Sequence, residues 1–105
     1  MDQALIGKWI EAEGQAYPGL SFEFHPDGSY DADYDDMGVT SGGTYEARGR
    51  EIDIDQTRHN FGLVGKFAGL YQIDGDELRM VLAAVGDHPR PADLTGAVLY
   101  RKAKE

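Results

Sequence analysis

Three histidines, His25, His59 and His88, are the side chains in this chain best suited to proton transfer or metal ligation near neutral pH. Their spacing is too wide for a local metal motif, and the chain has no cysteine to complete a zinc site or act as a thiolate nucleophile. The run Asp31-Ala32-Asp33-Tyr34-Asp35-Asp36 has the look of a calcium loop. Counted from Asp31, however, Asp36 stands where such a loop needs its glycine, and Gly42 where it needs its bidentate glutamate. The run reads instead as the solvated face of a strand. No Ser-His-Asp constellation and no carboxylate pair can be picked out, so no catalytic residue is assigned. His59, His88 and Arg90 stand as catalytic candidates through their position alone. No metal and no cofactor is expected.

Bulk composition narrows the partners. The chain has 105 residues, enough for one domain spanning 1–105 with a single core. Lys+Arg 10 against Asp+Glu 19 leaves a formal charge of −9. That charge repels phosphate backbones and anionic lipid, which argues against nucleic acid as a partner. No apolar run approaches the ~20 residues that span a bilayer, so membrane insertion is not expected. The first residues do not read as a signal peptide, which points to the cytoplasm if Met1 is the native start; the compartment is otherwise unknown.

The elements that must position the candidates are short strands. Leu20–His25 alternates, with Leu20, Phe22 and Phe24 on one face. Ser29–Asp35 places Tyr30, Ala32 and Tyr34 against Asp31, Asp33 and Asp35. Gly7–Ala12, Gly43–Arg48, Glu51–Asp55 and Val98–Lys102 are further strands, and Met1–Ile6 could form a short helical turn. Lys66–Ala83 reads as a hairpin with Asp74-Gly75 at its tip, a signal for a type I′ turn with Gly75 at positive φ. In that register Tyr71 faces Leu78, Gly69 faces Met80 and Phe67 faces Leu82. The opposite face, with Ala68, Leu70 and Val81, is apolar enough to serve as a dimer contact, so monomer and homodimer both stay open.

Loop lengths select the architecture. Three connections are tight turns: Pro26-Asp27-Gly28, Arg48-Gly49-Arg50 and Asp74-Gly75. The other four, Glu13–Gly19, Asp36–Gly42, Gln56–Gly65 and Gly86–Ala97, are long. Short and long alternate along the chain, so an up-and-down arrangement gathers all the short turns at one end and all the long loops at the other. The expected fold is all-β, an eight-stranded antiparallel up-and-down barrel with one closed end and one open mouth. Tyr30, Tyr34, Tyr45, Tyr71, Phe22, Phe24, Phe67 and Met80 then point inward. His59, Phe61, His88 and Arg90 fall on the mouth loops.

Gly7-Lys8-Trp9 on the first strand and Arg101 on the last resemble the lipocalin-like proteins of the calycin group. There a Gly-x-Trp plugs the barrel base and a basic residue from the last strand packs across the indole. Further pieces, Phe24 to Tyr30 (F-H-P-D-G-S-Y), Gly43-Thr44-Tyr45, Gly69 to Leu78 and Arg90-Pro91, resemble a family of small, uncharacterised bacterial lipocalin-like proteins. A departure from true lipocalins is expected, because the residues left at the end of the last strand here, Lys102 to Glu105, are too few for their C-terminal helix. The resemblance implies that Trp9 packs with Arg101 at the closed end and, by analogy, that the interior takes a small molecule.

The functional expectation is a binder of a small, largely apolar molecule. Phe22, Phe24, Tyr30, Tyr34, Tyr45, Phe61, Phe67, Tyr71 and Met80 would form the lining, with Arg90 orienting a polar, singly anionic head group. An isomerase- or cyclase-type enzyme using the same cavity is the alternative. A protein-interaction module using the mouth loops is a third. A solidly filled barrel would favour the last, because eight-stranded barrels can be filled by their own side chains.

Overall fold

The computed structural model describes residues 2–103. It is a closed antiparallel barrel of eight strands in sequence order: β1 (Gly7–Glu11), β2 (Ser21–Phe24), β3 (Ser29–Tyr34), β4 (Val39–Arg48), β5 (Glu51–His59), β6 (Gly65–Asp74), β7 (Glu77–Ala84) and β8 (Val98–Lys102). β8 pairs back onto β1, so no strand edge is left open. Among the described residues there is no α-helix, only 3₁₀ turns at Gln3–Leu5 and Asp35–Met37. Connections 25–28, 49–50 and 75–76 gather at one end, and 12–20, 35–38, 60–64 and 85–97 at the other.

The closed end is plugged from the N-terminal side. Leu5 and Trp9 are fully buried, and the Trp9 indole Nε1 donates to the Leu5 carbonyl at 2.8 Å. Asp2 caps the first 3₁₀ turn by accepting from the Ala4 amide, and it also accepts from the Tyr71 hydroxyl at 2.8 Å. The segment before β1 is thus tied across the base.

The cation over Trp9 is Lys102, not the expected Arg101. Lys102 Nζ lies 4.8 Å from the indole centroid and donates to the Ile6 carbonyl at 2.8 Å. Arg101 points outward, its side chain 61% exposed, and pairs with Glu77 at 2.7 Å. Strand alternation is the cause: Tyr100 is buried inside, so Arg101 must face out and Lys102 in. Gly7 makes the arrangement possible. Its φ is +126°, and a Cβ there would sit 2.9 Å from Lys102 Cε and Nζ. The glycine of the Gly-x-Trp therefore leaves room for the lysine that covers the tryptophan.

The β6–β7 hairpin forms in a different register from the expected one. Tyr71 faces Met80, Gly69 faces Leu82 and Phe67 faces Ala84, and Asp74 pairs with Glu77. The two central turn residues are Gly75-Asp76. Gly75 has φ +61° and among the described residues no non-glycine has positive φ, which excludes type I′ and matches the single positive φ of type II′. The shift is two residues, so every side chain stays on its expected face.

β4 and β5 run longer than expected, starting at Val39 and ending at His59, which shortens two mouth loops. Their pairing carries a bulge at Gly42/Gly43. Across it, Gly43 faces Gln56 and Ser41 faces His59, so Gln56 and His59 share the inner side.

Candidate functional site: the open end of the barrel

The inner face divides into a packed lower half and a looser upper half. Phe22, Phe24, Tyr30, Tyr45, Tyr71 and Met80, all expected as ligand-lining residues, belong to the buried core. Phe24 meets Tyr45 edge-on at 4.8 Å, and Phe22 meets Tyr100 edge-on at 5.7 Å. The Tyr45 hydroxyl donates to the His25 carbonyl at 2.9 Å, and the Tyr30 hydroxyl to Gln56 Oε1 at 3.3 Å. Burial, with Asp55 nearby, pushes the Tyr30 phenol up to about 12. These rings hold one another rather than lining an open chamber.

Towards the mouth, Leu20, Phe67, Leu82 and Val98 are only partly buried and pack on top of that core. Tyr34, at the end of β3, is half-buried and meets Tyr17 edge-on at 6.0 Å. Above them, exposed large apolar side chains crowd the four loops of this end. They are Tyr17, Met37, Phe61, Leu63, Val64 and Val85, with Phe61 65% exposed. Among the described residues, the one other exposed large apolar side chain is Ile10, on the outer face of β1. Phe61 is therefore a rim residue and not part of the inner wall.

Of the catalytic candidates, His59 lies at the inner rim, with Nδ1 accepting the Phe61 amide at 3.0 Å. That bond leaves the proton of the neutral ring on Nε2. His88 is exposed on the 85–97 segment.

Arg90 is not at the mouth. It lies on the outer wall, where one guanidinium nitrogen donates to the carbonyls of Ile52 (3.2 Å) and Gly69 (2.9 Å). The other donates to Asp53 Oδ1 at 2.5 Å. Ile52 and Ile54 are buried in the core, so Asp53 between them faces out, and Arg90 with it. The 85–97 segment therefore folds down over β5 and β6. The consequence shows at Leu70, which faces outward yet is only 7% exposed and does not belong to the core cluster. The expected outer apolar patch of Ala68, Leu70 and Val81 is half-buried to buried, with the Arg90 guanidinium on the neighbouring Gly69 carbonyl.

The residue that sequence reasoning missed is Glu11. It shares the inner face of β1 with Trp9, and it is 3% exposed. Its Oε2 accepts the Tyr17 amide at 2.5 Å, holding the 12–20 loop against the barrel. Burial raises the carboxyl above its ordinary range, partly offset by the Tyr17 hydrogen bond. Glu11 sits opposite Tyr100 in the β1–β8 ladder, and burial together with the Glu11 charge pushes that phenol up. The signal was available, since the buried Trp9 sets the parity of the strand.

Elsewhere, His25 pairs with Asp31 at 2.8 Å on the outer face, and Arg58 reaches the same Asp31 at 2.9 Å. The Asp31 hydrogen bond raises the His25 pKa, while His25 and Arg58 hold Asp31 below the usual carboxylate range. Among the described residues no group of three His, Asp or Glu is placed to hold a metal ion. A groove of about 330 Å³ runs along β4, β5 and β6, lined by the outward-facing Thr44, Glu46, Asp53, Asp55 and Lys66 together with Tyr45, Ile54, Phe67 and Val85. No known protein family, no curated protein and no solved structure matches this chain.

Proposed function

We propose that the barrel binds a small, largely apolar molecule at its open end, seated on Leu20, Phe67, Leu82 and Val98 and bounded by the four loops. The observation that carries this is the gathering of exposed apolar side chains on those loops, directly above a half-buried apolar floor. The seat is shallower than the sequence suggests, because the lower rings pack against one another. Arg90 has no part in it. Membership of the small bacterial lipocalin-like family accords with the closed up-and-down barrel and with Trp9 beneath a last-strand cation.

Amide-shift mapping with a neutral probe, octanol, tests the reading. Shifts should appear in 12–20, 35–38 and 60–64 and around Leu82 and Val98. Shifts at Asp27, Gly49 and Gly75 would move the site to the closed end and overturn it. The second reading, a protein-interaction module, draws on the same exposed rim over a packed lower barrel. Enzyme chemistry of the isomerase or cyclase type would rest on His59, the one catalytic candidate at the inner rim.

A further inference from the structure

Glu11 is costly where it stands. A carboxylate at 3% exposure inside a barrel gives up hydration, and one amide hydrogen bond returns part of it. Holding the 12–20 loop requires only an acceptor, which the amide oxygen of a glutamine also supplies, without the desolvation of a charge. The charge is therefore unexplained by the loop contact.

The surroundings indicate what would use it. Among the described strand residues, Glu11 is the one acidic side chain on the inner face. The inner cation, Lys102, is at the opposite end and engaged by Trp9 and the Ile6 carbonyl. Oε1 of Glu11 and the Tyr100 hydroxyl have no hydrogen-bond partner among the described residues. Yet among the described residues no sealed side-chain polar atom lacks a partner, so neither of these atoms is sealed from solvent. Leu20, whose carbonyl accepts the Glu11 amide, and Val98, two residues before Tyr100 on the same face of β8, flank the pair with apolar surface.

We infer that the molecule taken at the open end carries a protonated amine or an equivalent cation on its apolar body, with Glu11 Oε1 as counter-charge and the Tyr100 hydroxyl as a second polar contact. This rests on the reading that the open end binds a small apolar molecule. An ammonium donates hydrogen bonds to an otherwise poorly solvated carboxylate, and a charge-assisted bond in such surroundings is stronger than a neutral one. The formal charge of −9 also draws cations and disfavours anions. With Arg90 on the outer wall, no free cation among the described inner-face residues is left for an anionic head group.

Three probes of equal chain length, octylammonium, octanol and octanoate, decide it when titrated into the full chain and followed by amide shifts. Octylammonium should bind roughly tenfold tighter than octanol, and octanoate weakest. In Glu11→Gln the advantage of the amine over octanol should be lost. In Glu13→Gln, which removes an equal charge from an exposed neighbouring position, the amine preference should persist. Equal binding of amine and alcohol by the wild type, tightest binding of octanoate, or an amine preference that survives in Glu11→Gln overturns the inference. If none of the three probes moves the amides of the open end, the binding site itself has been misplaced, which is a different failure.

Discussion

Lys102 and Arg101 are adjacent basic residues on one strand, and the structure assigns them unequal worth. Lys102→Met keeps the stem and deletes the ammonium. That loses a cation–π contact at 4.8 Å and a hydrogen bond to the Ile6 carbonyl. The first contributes about 0.5–1 kcal/mol at a partly exposed site. The second, a bond from a charged donor, adds about 1.5–3 kcal/mol. Together the change should cost about 2–4 kcal/mol. Arg101→Met deletes an ion pair whose arginine is 61% exposed, worth about 0–1 kcal/mol. Urea unfolding followed by tryptophan fluorescence measures both, and Trp9, the single tryptophan, lies under the deleted charge. Lys102→Met should also shift the native emission of Trp9, and Arg101→Met should not. At this chain length each kcal/mol moves the melting temperature by about 4–8 °C, so the variants are separable by heat as well. A larger loss in Arg101→Met, or an emission change in that variant alone, would refute the strand parity from which both assignments follow.

Three further outcomes follow from the same geometry. Gly75→Val puts a β-branched residue at φ +61° and should destabilise the fold by about 1–3 kcal/mol in denaturant titration, with Gly75→Asn losing less. Arg90→Ala removes donors to two carbonyls and Asp53, so amide exchange should quicken across 85–97 and on the outer face near Leu70, while the β1–β4 amides keep their protection. Glu11 has a folded pKa above its ordinary value of 4.5, so only at pH values between the ordinary and the raised one does the folded form hold a proton that the unfolded chain releases, and above both it is a carboxylate. Its contribution to stability must therefore decline as pH rises from that ordinary value through the raised one. Glu11→Gln should flatten that part of the stability profile, and an unchanged slope would show that the carboxyl is not desolvated.

Much of the barrel is legible in the chain because two signals there are local. Alternation assigns Phe22, Phe24, Tyr30 and Tyr45 to one side, since a strand has period two whatever it pairs with. The short turns at 25–28, 49–50 and 75–76 alternate with longer loops, and that order alone favours an up-and-down barrel. What escaped is non-local or symmetric under those signals. A two-residue shift in the β6–β7 register preserves every face, so hydrophobic pattern is blind to it and only the turn backbone decides. The early part of β4 is hidden because Ser41-Gly42-Gly43 has poor strand propensity and is held by its neighbours and a bulge. Glu11 contradicts the rule that polar residues face out, although the parity set by Trp9 places it inside. Arg90 lies far along the chain from Ile52, Asp53 and Gly69, and no spacing in the sequence brings a loop arginine down the outer wall. That placement, and with it the covering of Leu70 and the loss of an anion site at the mouth, exists only once the chain has closed on itself.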